Sequence, residues 1–136
     1  DHGITITISS FGFSRGMPPV ADLVFDMRFL DNPHWVDALR PLTGKDQPVI
    51  EFLNAQRDAI ALLDDIGAFV EKWLPAFKKD NRSYLTVAIG CTGGKHRSVY
   101  LVEKLAKHFG KRFDHIIIKH RESWENQGLH DAEEKK

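Results

Sequence analysis

Cysteine is nearly absent from this chain of 136 residues: Cys91 is its single thiol, so no disulfide can form within it. A lone thiol is typical of a reducing compartment, and we expect a cytoplasmic protein. An excess of charge is also lacking, because 19 Lys and Arg residues balance 19 Asp and Glu residues. Net charge therefore favours no particular class of partner.

Long apolar runs are missing as well. No run reaches the roughly 18 residues of a membrane span, and the start has no basic region followed by an apolar core. We therefore expect neither a membrane contact nor a secretory signal. The chain begins with Asp1, which leaves open that it is part of a longer protein. No pair of its histidines has the spacing of zinc ligands, so no metal and no cofactor is expected.

The balanced total charge hides a local asymmetry. Residues 91–121 contain eight basic and two acidic residues, a net charge of +6, whereas residues 46–71 contain six acidic residues and one basic residue, a net of −5. A cationic region can attract phosphates or nucleic acid, or it can be a solvated helix face. Charge alone does not decide between the two.

The apolar pattern predicts strands that alternate with helices. Strands are expected at residues 4–8, 21–29, 84–90 and 115–119, and helices at 49–54, around 60–77 and at 99–110. We expect Pro75 to end or bend the long helix, and Phe69, Trp73 and Phe77 to lie in the core. This order predicts a single α/β domain over residues 1–125, three-layer-like, with a mainly parallel sheet. Residues 126–136 are predicted to form a polar, disordered tail.

One loop carries the composition of an anion site. Cys91 ends a predicted strand and Ser98 begins a predicted helix, with two glycines between them. The glycines let backbone N–H groups converge, and the helix N-terminus adds partial positive charge. Polar side chains add hydroxyl and cationic donors, and Arg97 can bind a phosphate through two N–H groups. The predicted phosphate-binding residues are Thr92, Gly93, Gly94, Lys95, His96, Arg97 and Ser98. The alternative is a tight turn whose glycines serve packing alone.

Two catalytic interpretations apply to the same loop. A nucleotide P-loop is excluded, because its first glycine would fall on Ile89 and its final hydroxyl residue on His96. The spacing Cys-x5-Arg between Cys91 and Arg97 is shared with cysteine-dependent phosphatases, in which a thiolate attacks phosphorus. The motif is short, and we favour Cys91 as a small buried side chain at a strand end. No catalytic residue is therefore predicted, with the phosphatase as the alternative.

Longer runs of the sequence resemble a known family. They are LVFDMRFL (23–30), NPHW (32–35), LRPLTG (39–44) and RSYLTVAIGCTGGKHRSVY (82–100), and they resemble the C-terminal domain of the RapZ (YvcJ-like) family of bacterial RNase adaptor proteins. The resemblance covers residue 4 to about residue 121. It implies a domain that binds small regulatory RNA, senses glucosamine-6-phosphate, self-associates and assists a ribonuclease. The family's nucleotide-binding P-loop lies in a separate domain, so nucleotide hydrolysis is not expected here.

The resemblance also implies site residues. It adds Asp26, Arg28, His34 and Ser83 to the sugar-phosphate site in the loop. Asp26 and Arg28 could instead pair with each other, and His34 could be an exposed loop residue. RNA contacts are expected from the cationic third and one earlier residue: Arg15, Lys104, Lys107, Lys111, Arg112, Lys119 and Arg121. RNA-binding members have a basic run after Phe13 and a basic C-terminal end, whereas this chain has a single positive charge and an acidic tail there. RNA affinity is expected to be correspondingly low.

Overall fold

A computed structural model describes residues 3–18 and 20–122 of the chain, which form four strands and three α-helices. The strands are β1 (Thr5–Gly12), β2 (Leu23–Asp26), β3 (Tyr84–Cys91) and β4 (Ile116–His120). The helices are α1 (Gln47–Asn54), α2 (Arg57–Lys79) and α3 (Arg97–Gly110), with short 3-10 turns at Phe13–Arg15 and Pro33–Trp35. The expected α/β class is confirmed. The tail expected at residues 126–136, and the last residues of the expected domain, lie outside the described residues.

The four described strands form one sheet in the order β2-β3-β1-β4, and every neighbouring pair is parallel. Ile6 pairs with Leu85 on one side and with Ile116 on the other. Side chains alternate along β1: Ile6 and Ile8 are fully buried, whereas Thr7 between them is partly exposed. One face of the sheet therefore supplies the core, as the alternating pattern predicts.

Helix α3 connects the sheet to the other helices. It lies against β1, β3 and β4, and it also contacts α1 and α2. Its apolar residues recur at helical spacing, and Leu101, Leu105 and Phe109 are completely buried. This packing fixes the N-terminus of α3 beside the end of β3, which is where the candidate loop lies. Within the described residues, no helix has the length and apolar character needed to cross a membrane.

One expected strand boundary is wrong, and the long helix continues past its proline. Strand β2 ends at Asp26 rather than Phe29, because the Asp26 carboxylate accepts a hydrogen bond of 2.9 Å from the backbone N–H of Arg28 and turns the chain. Helix α2 does not end at Pro75 but continues to Lys79. Pro75 is exposed, and it removes one backbone hydrogen bond without ending the helix.

The aromatic residues of α2 are also placed differently from the expectation. Phe77 is partly buried against the core, but Phe69 and Trp73 are 42% and 45% exposed. The core stripe of α2 consists of Ile66, Val70 and Leu74, so Phe69 and Trp73 each fall one position away on its flank. Phe69 there makes an edge-to-face contact with Phe25 of β2.

Candidate functional site

The candidate loop lies where the ends of the parallel strands meet. Because all four described strands run in the same direction, their carboxyl ends lie together at one end of the sheet. The last residues of these strands are Gly12, Asp26, Cys91 and His120. Ligands of open parallel sheets bind beyond the carboxyl ends of the strands. Residues 92–96 lie there and connect β3 to Arg97, the first residue of α3.

Glycines allow two close approaches at this loop. Gly94 has φ +70°, a conformation that other residues rarely adopt, and a Cβ on it would lie 2.6 Å from the Glu122 side chain. Gly44 donates a backbone hydrogen bond of 3.0 Å to the carbonyl oxygen of Lys95. A Cβ on Gly44 would collide with the backbone of His96 and Tyr100. The segment before α1 is thereby held against the loop.

Arg97 is the central cation of the loop, and it is 3% exposed. Its Nη1 donates hydrogen bonds of 2.9 Å to the carbonyl oxygens of Arg28 and Leu30, and its Nη2 donates one of 3.3 Å to Thr92 Oγ1. Its buried Nε has no hydrogen-bond partner. Among the described residues, no carboxylate pairs with this guanidinium. The Asp26 carboxylate interacts with Arg97 through charge, but it is bonded directly to Arg28. A buried charge without a directly bonded counter-charge is costly, so the site favours an anion.

His96 is buried, and burial lowers its pKa below the ordinary value of 6.5. Its Nε2 lies 3.0 Å from the carbonyl oxygen of Leu39. A neutral imidazole makes that bond only when Nε2 carries the proton, which leaves Nδ1 as an acceptor. Lys95 donates 2.7 Å to the carbonyl oxygen of Arg40, and burial lowers its pKa as well.

Cys91 is 2% exposed at the end of β3. Its Sγ lies 3.1 Å from the hydroxyl oxygen of Ser98 and accepts a hydrogen bond of 3.4 Å from the backbone N–H of Ser98. Ser98 itself is fully buried, so its hydroxyl faces the thiol instead of a ligand. Arg97 is held by two backbone carbonyl groups. This arrangement favours the structural interpretation of Cys91 over the nucleophilic one.

A pocket of about 380 Å³ opens over this loop. Its loop side is lined by Cys91, Thr92, Gly93, Lys95, His96 and Arg97. Its other side is lined by Asn32, His34 and Trp35, which belong to or precede the 3-10 turn after β2. A Cβ placed on Gly93 would meet no atom within 4 Å, so that backbone segment faces open space.

Asp26 and Arg28 form a bidentate pair beside the pocket, with Nη2 of Arg28 2.6 Å from Oδ2 of Asp26. The hydrogen bonds from Arg28 hold the pKa of Asp26 below its ordinary value. The guanidinium carbon of Arg28 also lies 3.9 Å from the centre of the Phe13 ring. The pair leaves part of both side chains exposed, but neither residue lines the pocket.

The structure does not bring Ser83 to this site. Ser83 precedes the first residue of β3, whereas Thr92 follows its last residue. Nine residues of extended strand place Ser83 and Thr92 about 25–30 Å apart, at opposite ends of β3. Sequence reasoning also omitted Asn32 and Trp35 as site residues. Asn32 caps the turn by accepting a hydrogen bond from the backbone N–H of His34, and Trp35 is 76% exposed. Their place beside His34 in the run 32–35 was the available signal.

The candidate RNA-binding residues have different surroundings. Lys107, Lys111 and Lys119 are exposed, whereas Arg121 donates to the carbonyl oxygens of Gly12 and Gly16 and pairs with Glu122. The remaining three are also on the surface: Arg15 is exposed after β1, Lys104 lies near the Tyr100 ring, and Arg112 pairs with Glu71 at 3.4 Å.

Comparison with known proteins matches this chain to one family. A sequence model described as the RapZ C-terminal domain matches residues 4–124. A nucleotide-binding protein of Janthinobacterium sp. (strain Marseille) is 65% identical over 90% of this chain and 42% of its own length. Nucleotide-binding proteins of Herminiimonas arsenicoxydans and Ralstonia nicotianae are 63% and 59% identical, over 90% and 89% of this chain and 42% and 40% of their own lengths. The chain thus spans about two-fifths of the length of the curated relatives that it matches.

Proposed function

The chain belongs to the RapZ C-terminal domain family, and on that premise we propose that it is a regulatory domain that binds a phosphorylated amino sugar. Glucosamine-6-phosphate is the ligand that the family resemblance suggests. The observation that carries the proposal is the buried Arg97 in the wall of a pocket at the strand ends. Among the described residues, no carboxylate lies within ion-pairing distance of this guanidinium, and Asp26, whose charge it influences, is bonded to Arg28. An anionic ligand would supply a directly bonded counter-charge.

The two walls of the pocket can bind the two ends of such a ligand. The hydroxyl of Thr92 and the N-terminus of α3 offer a hydrogen-bond donor and positive potential for the phosphate. His34 and Trp35, on the opposite wall, can contact the sugar ring and its hydroxyl groups. Nδ1 of His96, the acceptor left by the bond to Leu39, suits a hydroxyl or ammonium group of the ligand.

A thermal-shift panel tests this function. Glucosamine-6-phosphate should raise the melting temperature more than glucosamine, glucose-6-phosphate or inorganic phosphate at the same concentration. A ligand that binds only the folded state stabilises it by about 2.7 kcal/mol at one hundred times its dissociation constant. If none of these compounds at millimolar concentration shifts the melting temperature, the chain does not sense a sugar phosphate.

RNA binding is a second candidate function, supported by the exposed Lys107, Lys111 and Lys119 in the cationic third. These side chains can neutralise RNA phosphates, and the family resemblance adds a ribonuclease partner and self-association to the proposal. Affinity should fall with salt, with a log–log slope of about −0.7 to −0.9 for each phosphate neutralised. A gel-shift titration at two salt concentrations measures this slope. If no complex forms at low salt, these lysines do not bind RNA.

A further inference from the structure

Strand β4 leaves one edge of the described sheet uncovered. It pairs with β1 alone, and the carbonyl oxygen of His115 and the N–H of Arg121 both bond to β1. In a parallel ladder, alternate residues face the same neighbour. The backbone groups of Ile117 and Lys119 therefore face β1, and those of Ile116 and Ile118 face outward, with no described strand beside them.

The side chains of β4 are unusual for such an edge. Ile117 and Ile118 are 43% and 42% exposed, and because they are adjacent they lie on opposite faces of the sheet. Exposed edge strands are normally protected by several charges, a proline or a bulge. β4 has one charged side chain, that of Lys119, and no proline. Its edge is thus a template to which another strand can be added.

A cationic groove adjoins this edge. It has a volume of about 590 Å³ and lies between β4, α3 and α1. Its walls combine the apolar side chains of Ile50, Ile116 and Ile118 with three lysines, Lys45, Lys104 and Lys107. The acidic residue in its lining is Glu103, whose carboxylate is 2.7 Å from Nε2 of His120. The groove therefore presents apolar surface beneath an excess of positive charge.

We propose that the edge of β4 and this groove bind an extended acidic segment of a partner protein by strand addition. The partner's backbone pairs with the outward groups of Ile116 and Ile118. Its alternate side chains fall on the two faces of the sheet: carboxylates on the groove face near Lys104 and Lys107, and apolar side chains on the opposite face against Ile117. Charge complementarity favours an acidic segment over a neutral one. The groove suits RNA bases less well, because its one aromatic residue, Tyr100, is 1% exposed and offers no face for stacking.

Three peptides test the proposal on the intact chain. The first is a fluorescein-labelled ten-residue peptide that alternates valine and glutamate. The second has the same sequence with every backbone amide N-methylated, and the third alternates valine and lysine. The first should bind in a fluorescence-anisotropy titration, and the other two should bind at least about tenfold more weakly. Hydrogen exchange should slow at the amides of Ile116 and Ile118 when the first peptide is bound.

Matched variants test where the peptide lies. Lys104→Glu with Lys107→Glu should weaken binding of the valine–glutamate peptide about tenfold or more, since charge reversal replaces attraction by repulsion. Lys72→Glu with Lys79→Glu makes the same charge change on exposed positions of α2 and should leave binding unchanged. Circular dichroism confirms that both double variants are folded.

Five results would overturn the proposal. Equal binding of the N-methylated peptide would exclude backbone pairing. Equal losses in both double variants would show that general charge governs the affinity. Binding that appears only when the chain ends at Trp124 would assign the edge to this chain's own C-terminal residues. Protection of Ile116 and Ile118 that rises with protein concentration alone would assign it to a second copy. Tighter binding of a ten-nucleotide uridine RNA, lost in the Lys104 and Lys107 variant, would assign the groove to RNA.

Discussion

Arg97 donates a hydrogen bond of 2.9 Å to the carbonyl oxygen of Leu30, so the first residue of α3 is tied to the turn that follows β2. A second bond of 2.9 Å reaches the carbonyl oxygen of Arg28. The cation that sequence reasoning assigned to phosphate binding therefore also holds together two of the segments that form the pocket.

Replacement of Arg97 should reduce stability as well as ligand binding. Arg97→Ala leaves the carbonyl groups of Arg28 and Leu30 without their donor, and each buried unsatisfied group costs about 1–3 kcal/mol. We expect the free energy of unfolding in urea to fall by about 2 kcal/mol or more. A fall below about 0.5 kcal/mol, the range of ordinary surface substitutions, would show that these bonds contribute little.

Gly44→Ala should also destabilise the fold. The added methyl group would collide with the backbone of His96 and Tyr100, and overpacking of this kind costs about 1–3 kcal/mol. Gly110→Ala is the matched control, because nothing lies within 4 Å of its added Cβ and alanine is favoured in helices. Chemical denaturation should show a clear loss for the first variant and none for the second. Equal stabilities would mean that the segment before α1 is not packed tightly on the loop.

The buried His96 should make the protein sensitive to acid. Its folded-state pKa is lowered below 6.5, so the unfolded state binds the proton more readily. The contribution of His96 to the free energy of unfolding is fully present above pH 6.5 and declines as the pH falls below that value. His96→Gln keeps a side-chain N–H donor for Leu39 but does not titrate. Its melting temperature should therefore fall less between pH 7 and pH 5 than that of the parent chain. An identical fall in both proteins would assign the acid sensitivity to other groups.

The thiol of Cys91 should be unreactive in the folded protein. It is 2% exposed and hydrogen-bonded to Ser98, so 5,5′-dithiobis(2-nitrobenzoate) should label it slowly in buffer and rapidly in 6 M guanidinium chloride. The parent chain should also fail to hydrolyse an aryl phosphate. Rapid labelling of the native protein, together with turnover that Cys91→Ser abolishes, would restore the phosphatase interpretation.

The sequence predicted those features that depend on local pattern. Alternation in β1 and helical spacing in α3 are strong local signals, and the order strand, glycine loop, helix correctly indicated where the loop lies. The resemblance named His34, and the structure places it across the pocket from Thr92. The same resemblance named Ser83, which lies at the opposite end of β3 from the pocket.

The remaining features depend on tertiary packing. The two backbone carbonyl groups that hold Arg97 belong to residues almost seventy positions earlier in the chain. No periodicity reveals such a bond. The exposure of Phe69 and Trp73 follows from how α2 packs against α1 and α3, and the uncovered edge of β4 follows from strand order. Neither the packing of α2 nor the strand order can be read from a short window of sequence.

The central claim, an anion pocket for a phosphorylated amino sugar, is tested most directly by isothermal titration calorimetry with glucosamine-6-phosphate. The measurement compares the parent chain with two variants, Thr92→Val in the pocket and Ser83→Ala at the opposite end of β3. Loss of a hydroxyl that contacts a charged phosphate should weaken binding by about 1.5–3 kcal/mol, roughly tenfold or more. We predict this loss for Thr92→Val and unchanged affinity for Ser83→Ala. No binding to the parent chain, or equal affinity in all three proteins, would contradict the account.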